Sequence, residues 1–76
     1  MMRQSVTMYG HYFRWNSRTE KWETSSGRVV YITPPTEDDE MWYVEVPSTG
    51  INQPVAGQYA ENRAFTIAEA YSRQKD

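Results

Sequence analysis

The sequence contains no cysteine among its 76 residues. Disulfide bonds and cysteine-ligated zinc, two common reinforcements of small folds, are therefore excluded. The lack of cysteine suits a reducing compartment, and we expect a cytoplasmic protein. No stretch approaches the run of about 20 apolar residues that a membrane span needs, and residues 1–10 lack the apolar run of a signal peptide. We therefore expect no membrane association.

Sequence motifs for enzyme catalysis are missing as well. His11 is the single histidine, and neither a Gly-x-Ser-x-Gly elbow nor a glycine-rich phosphate loop is present. Nucleophilic catalysis needs a nucleophile with an adjacent base, and nucleotide chemistry needs a backbone that cradles phosphates. The sequence therefore predicts a non-enzymatic protein without catalytic residues, a metal site or a cofactor.

Aromatic residues, by contrast, are plentiful, and charge is unevenly distributed. The chain has three tryptophans and six tyrosines, and such rings supply much of the core area in a small fold. Residues 1–28 carry five basic and two acidic side chains, whereas residues 29–76 carry three basic and eight acidic ones. The sequence is therefore polarised into a basic first part and an acidic second part, although its net charge is only −2.

Apolar and polar residues alternate with the period of two that is typical of β-strands. Short polar turns separate the alternating runs, and this favours antiparallel pairing of sequential strands. Trp15 and Trp22 flank the first turn and are expected to pair across a hairpin. The predicted strands lie near residues 10–16, 20–25, 28–33 and 41–46, with a fifth strand near 55–59 left open.

The C-terminal part has the periodicity of a helix, predicted near residues 62–74. Ala64, Ile67 and Ala68 fall on one apolar stripe at the spacing of successive helical turns. Asn62 is a candidate N-cap, since its side chain can accept a hydrogen bond from a free amide of the first turn. The small alanines permit close packing of this helix on a sheet.

Together these patterns predict one α+β domain over residues 1–76. Its antiparallel β-meander has four strands, with the fifth as an open alternative, and is packed against one C-terminal α-helix. Trp42, Val44 and Val46 share one face of the fourth strand and are expected to be buried. Residues 1–8 are polar and are expected to be flexible.

Basic and aromatic residues are interleaved in the first hairpin and in the strand that follows it. Cations that track phosphates, beside rings that stack on bases, are the arrangement used in single-stranded nucleic-acid binding. Glu20 and Glu23 lie in the same hairpin and oppose this interpretation. The candidate binding surface comprises Tyr12, Arg14, Arg18, Lys21, Arg28 and Tyr31.

A run of four acidic residues follows the pair Pro34-Pro35, which ends the third predicted strand. Adjacent side chains of an extended loop point in opposite directions, and the EF-hand spacing with its glycine is missing. A solvated loop is therefore favoured over a calcium site, and we treat the loop as a candidate contact for a basic region of a partner. The acidic loop consists of Glu37, Asp38, Asp39 and Glu40.

Two functions remain. The first is a small non-enzymatic interaction module that binds a protein partner, either another protein or a second copy of the chain; an accessory or virus-encoded factor fits this description. The second is a nucleic-acid-binding module that uses the basic and aromatic hairpin. Basic side chains gathered on one sheet face beside Tyr12 or Tyr31 would favour nucleic acid. Neutralisation of that face by Glu20, Glu23 and Glu45 would oppose it.

Overall fold

The alternating runs fold into one antiparallel sheet, as predicted. The structure is a computed structural model that describes residues 13–74. Five strands lie in sequence order, each paired with the next, and a C-terminal helix packs on the sheet. The α+β meander is therefore confirmed, and the fifth strand is present. The elements are β1 (Phe13–Asn16), β2 (Lys21–Thr24), β3 (Tyr31–Thr33), β4 (Trp42–Val46), β5 (Ile51–Val55) and α1 (Ala60–Ser72).

Helix α1 covers one face of the sheet, and within residues 13–74 no element packs on the other face, which we name the open face. Along β4, Trp42, Val44 and Val46 are buried, whereas Tyr43 and Glu45 between them are half-buried. The predicted orientation of this strand is therefore confirmed, and its apolar side chains form the middle of the core. The other buried core side chains are Phe13, Trp22, Val30, Ile32, Val55, Ala64, Phe65 and Ala68.

Trp15 and Trp22 form the predicted pair across the first hairpin. The register of β1 and β2 places them opposite each other, with ring centroids 5.4 Å apart and ring planes at 62°. Edge-to-face pairs of this kind add about 0.5–1.5 kcal/mol beyond area burial. Trp22 is buried, whereas Trp15 is half-buried and lies at the margin of the core. The pair therefore holds the Trp15 ring in place while leaving part of it accessible.

Two of the hairpins close with the same four-residue turn. In the β1–β2 turn, the Glu20 amide donates to the Asn16 carbonyl at 2.7 Å. In the β4–β5 turn, the Gly50 amide donates to the Val46 carbonyl at 3.0 Å. The last turn residue has a positive φ in both, 76° at Gly50 and 59° at Glu20. Because this conformation costs a residue with a Cβ about 1–2 kcal/mol, Glu20 occupies a position that favours glycine.

The fifth strand does not lie where the sequence placed it. β5 spans Ile51–Val55, whereas residues 56–59 lie outside any strand, so the predicted range near 55–59 is corrected. The sequence did not predict a strand here because it contains Pro54, and proline cannot donate a ladder hydrogen bond in a central strand. β5 lies at the edge of the sheet, with Pro54 opposite Tyr43. Proline is tolerated on an edge strand because one side of the strand has no partner.

The helix begins earlier than predicted. It spans Ala60–Ser72 rather than 62–74, with Tyr59 as N-cap at a φ of 67° and without a side-chain capping bond. Asn62 is therefore a helical residue and not the N-cap. The helix starts early because the Ala60 amide donates to the Gly57 carbonyl at 3.2 Å, so a backbone bond satisfies an amide that a side chain would otherwise cap. Within residues 13–74, no helix has the length and apolar content needed to cross a membrane.

Several N-terminal predictions concern residues that lie outside the described part of the chain. The flexible segment 1–8 and the first part of the strand near 10–16 fall within residues 1–12. Tyr12, a member of the candidate binding surface, also lies there. These statements stay predictions.

Candidate functional site

The structure brings together only part of the predicted basic and aromatic surface. Arg14, Lys21 and Tyr31 lie on the open face of the sheet, because their neighbours along each strand are on the helix-covered face. Arg18 lies in the β1–β2 turn, and Arg28 lies in the β2–β3 connection at the opposite end of the sheet. Those predicted residues that the structure describes therefore do not form one surface.

Charges on the open face are paired. The Arg14 Nε lies 3.9 Å from a Glu23 carboxylate oxygen, and the Lys21 Nζ lies 3.5 Å from a Glu45 carboxylate oxygen. The same ammonium group lies 5.5 Å from the centre of the Tyr31 ring. Cations that are already balanced by carboxylates attract phosphates weakly. The open face is therefore mixed in charge rather than basic, which opposes the nucleic-acid interpretation.

Arg28 connects the β2–β3 connection to the end of α1. Its backbone amide donates to the Ser72 carbonyl at 3.1 Å. Its guanidinium donates to the Gln74 side-chain oxygen at 3.4 Å, across a sequence separation of 46 residues. Arg28 thus contributes to the attachment of the helix to the sheet. Sequence patterns missed this role because they contain no information on contacts between segments so far apart.

Asp39 is the member of the acidic loop that folds back onto the protein. Its carboxylate accepts hydrogen bonds from the Tyr43 hydroxyl at 2.7 Å and from the Met41 amide at 3.0 Å. Reciprocal backbone bonds of 2.8 and 3.3 Å between Thr36 and Asp39 close the loop. Asp39 therefore shapes the loop. The acidic side chains of the loop that remain exposed are Glu37, Asp38 and Glu40.

The hydrogen bond between Asp39 and Tyr43 shifts the pKa of both groups. The Tyr43 hydroxyl, with the Met41 amide as the second cause, lowers the pKa of Asp39 below 3.8. The same bond to Asp39 raises the pKa of Tyr43 above 10.0. Stabilisation by Asp39 is therefore present above about pH 3.8 and is lost as the pH falls through its lowered pKa. Stabilisation by Tyr43 is present below about pH 10 and is lost as the pH rises through its raised pKa.

We expect Tyr43→Phe to raise the pKa of Asp39 towards 3.8 without reaching it, because the Met41 amide still donates to the carboxylate. Reciprocally, Asp39→Asn should lower the pKa of Tyr43 towards 10.0, since the charged acceptor is removed. Carboxyl and ring carbon NMR titrations measure the two values directly. An Asp39 pKa that is the same in the wild type and in Tyr43→Phe would contradict the hydrogen bond.

The topology brings most of the acidic residues to one end of the sheet. In a meander, alternate connections lie at the same end, so the β1–β2 turn and the β3–β4 loop are neighbours. The first turn of α1, which follows β5, lies at this end too. These three segments carry six carboxylates together with the basic side chains of Arg18 and Arg63. We name this region the acidic end, and its carboxylates are Glu20, Glu37, Asp38, Asp39, Glu40 and Glu61.

A cleft of about 410 Å³ opens at the acidic end, between the β1–β2 turn and the segment that follows β3. Trp15 and the pair Pro34-Pro35 are its apolar lining residues, and Glu20 is its acidic one. Apolar walls with a few polar groups are typical of binding sites. The remaining lining residues are Thr19, Thr33 and Thr36.

Sequence reasoning did not find this cleft. It predicted that Trp15 pairs with Trp22 across the hairpin and that Pro34-Pro35 ends a strand, and it treated Glu20 as a charge that opposes nucleic-acid binding. The sequence did contain a signal for the cleft. Trp15 precedes the first turn and Pro34-Pro35 follow the third strand, and in a meander these two connections lie at the same end of the sheet. The positive φ of Glu20 has no counterpart in the sequence pattern.

The residues that line the cleft provide groups for non-covalent contacts. Its lining combines a ring, prolines, hydroxyl groups and one carboxylate. Among the residues that the structure describes, no group of three or more His, Cys, Asp or Glu side chains is arranged to hold a metal ion. Comparison of the chain with known proteins finds no matching family model, no matching curated protein and no matching solved structure.

Proposed function

We propose that this chain is a small non-enzymatic interaction module that binds a protein partner through the cleft at the acidic end. The observation that carries the proposal is the cleft itself, in which Trp15, Glu20 and Pro34 present aromatic, charged and apolar groups together. Tryptophan is enriched among the residues that dominate binding energy at protein interfaces. The cleft lies between the first hairpin and the segment that leads into the acidic loop.

The shape of the cleft supports a segment of polypeptide as its occupant. Its volume lies at the lower end of the range of about 300–1,000 Å³ that is usual for ligand pockets. Thr19, Pro35 and Thr36 are exposed at its rim. An exposed rim allows a chain to cross the site while one of its side chains enters the cleft. Such a partner would contribute one anchor residue, and a few anchor residues in pockets carry most of the binding energy at protein interfaces.

The charge distribution favours a protein partner over a nucleic acid. The acidic end repels phosphates, since carboxylates outnumber basic side chains in its three segments. On the open face, Arg14 and Lys21 each have a carboxylate partner. The described residues therefore do not form the continuous basic track that nucleic-acid binding requires.

The β5 edge gives little support for self-association by strand addition. Pro54 lies in this edge strand and has no amide hydrogen to donate to an added strand. Proline on an edge is one of the features that prevent pairing with another chain. A partner at the cleft is therefore better supported than self-association through the β5 edge.

The test is a selection of short random peptides against the immobilised protein. We expect enriched peptides whose binding is lost in Thr36→Trp, because the added ring fills the cleft. Binding should persist in Thr66→Trp, which adds the same ring on the exposed side of α1. Both positions are exposed, so both variants should fold, and circular dichroism checks this for each.

Failure to enrich any peptide, or enrichment of peptides that are equally sensitive to both variants, would contradict binding at the cleft. A parallel measurement addresses the alternative function. Micromolar or tighter binding of single-stranded DNA or RNA that weakens steeply between about 50 and 200 mM salt would indicate phosphate contacts. That result would favour the nucleic-acid-binding module instead.

A further inference from the structure

We infer that the cleft receives an arginine side chain from a basic segment of the partner. The inference rests on the proposed function and names the chemistry of the occupant. Three observations carry it: the half-buried Trp15 lines the cleft, the acidic residue Glu20 lines it too, and carboxylates outnumber basic side chains at the acidic end.

Trp15 provides the surface on which a planar cation binds. Its ring lines the cleft and is held by edge-to-face packing on Trp22 at 5.4 Å. Tryptophan gives the strongest cation–π attraction of the aromatic side chains, and the arginine guanidinium also stacks on aromatic faces. A ring that core packing already holds in place loses little conformational entropy when a ligand binds. Trp15 is therefore a pre-ordered platform for a guanidinium.

Glu20 provides the counter-charge. It occupies a turn position at a φ of 59°, where the equivalent residue of the β4–β5 turn is Gly50 at 76°. Glycine would adopt this conformation at lower cost. The turn, closed by the bond to the Asn16 carbonyl at 2.7 Å, places Glu20 among the residues that line the cleft. A carboxylate and a guanidinium form a bidentate charge-assisted pair.

The surrounding charges strengthen the preference for a cation. Glu37, Asp38 and Glu40 are exposed in the loop that continues from the cleft wall, and the cleft lining in the described part of the chain includes no basic side chain. Such a charge distribution attracts a basic segment and repels an acidic one. The lysine ammonium is a compact and strongly hydrated charge. It has no planar group to stack on a ring or to form a bidentate pair with a carboxylate. Arginine therefore matches the cleft better than lysine.

The experiment compares three labelled peptides with blocked termini in a glycine, serine and alanine background. One contains arginines, the second contains citrulline at the same positions, and the third contains lysine. Citrulline has nearly the shape of arginine without its charge. We expect the citrulline peptide to bind about tenfold more weakly or worse, and the lysine peptide about threefold more weakly, by fluorescence anisotropy at low salt.

Variants of the protein locate the binding. Thr36→Trp should abolish binding of the arginine peptide, and Glu20→Gln should weaken it about threefold to tenfold because the local counter-charge is lost. Glu69→Gln is the matched control, since it removes the same charge from α1, where Glu69 is paired with Arg73 at 2.6 Å. We expect Glu69→Gln to change the affinity by less than about twofold, because this charge is distant from the cleft and screened by salt.

The possible failures separate this inference from the proposed function. Equal binding of the arginine and citrulline peptides, or selected cleft ligands without basic residues, would overturn the arginine inference and leave the protein-binding proposal standing. Equal weakening by Glu20→Gln and Glu69→Gln would show general charge attraction and would also overturn it. Absence of arginine-peptide binding, together with a peptide selection that enriches nothing, would overturn both.

Discussion

Replacement of Phe65 by alanine is expected to abolish cooperative folding at room temperature. Phe65 is fully buried, and its ring centroid lies 5.1 Å from that of Phe13, 5.6 Å from that of Trp22 and 6.1 Å from that of Trp42. A buried phenylalanine-to-alanine change costs about 3–5 kcal/mol. The core of a fold this small rarely supplies more than about 3–5 kcal/mol of net stability. The loss is therefore comparable to the whole stability of the domain.

Urea denaturation followed by tryptophan fluorescence and circular dichroism measures this effect. Phe65→Leu gives a graded version, with an expected loss of about 1–2 kcal/mol because most of the buried volume is kept. Thr66→Ala is the neighbouring control on the exposed side of the helix and should change the stability by less than about 0.5 kcal/mol. A cooperative transition of Phe65→Ala close to that of the wild type would show that the ring is not central to the core.

Trp42→Ala should also cost about 3–5 kcal/mol, since this ring is buried at 5 % exposure and contacts Phe65 from the sheet side. When two residues in contact are both replaced, the free energy of unfolding that their contact contributes is lost only once. The aromatic cluster therefore acts as one packing unit that joins the helix to the sheet.

The parts of the fold that the sequence predicted are those decided by local patterns. Alternation of Trp42, Val44 and Val46 with polar neighbours was enough to orient β4. The pairing of Trp15 with Trp22 followed from their positions on either side of a short turn. In both cases the period of the strand and the length of the connection determine the outcome.

The parts that the sequence did not predict depend on tertiary context. Pro54 is compatible with a strand only because β5 lies at an edge. α1 begins at Ala60 through a backbone bond to Gly57 rather than at the capping side chain of Asn62. Neither the edge position nor the backbone bond has a signature in residue types alone.

The candidate site shows the same division. The charge split between the two parts of the chain was visible in the sequence, and the acidic end is its structural counterpart. The pairing of Lys21 with Glu45, by contrast, depends on the register of three strands. The cleft depends on how the Trp15 ring packs and on the positive φ of Glu20. Composition therefore indicated the charge of the surface but not its shape.

Gly27→Ala is the second substitution expected to have a large effect, and it acts at the end of the sheet opposite the cleft. A Cβ at Gly27 would lie 2.6 Å from the Ser72 carbonyl oxygen, and the φ of Gly27 is +80°. The same carbonyl accepts the Arg28 amide at 3.1 Å. The substitution must therefore displace the end of α1 or open the β2–β3 connection. We expect a loss of about 2–4 kcal/mol, from the backbone conformation and the steric clash together.

Gly50→Ala separates these two causes. Its φ of +76° nearly equals that of Gly27, but a Cβ there meets nothing within 4 Å. Gly50→Ala should therefore lose only the conformational part, about 1–2 kcal/mol, and the difference between the two variants isolates the contact with Ser72. Urea denaturation measures both losses, and amide hydrogen exchange of Arg28 should accelerate only in Gly27→Ala. Equal losses in the two variants would show that this loop does not hold the helix end. Unchanged peptide binding by folded Gly27→Ala would show that the cleft does not depend on the β2–β3 connection.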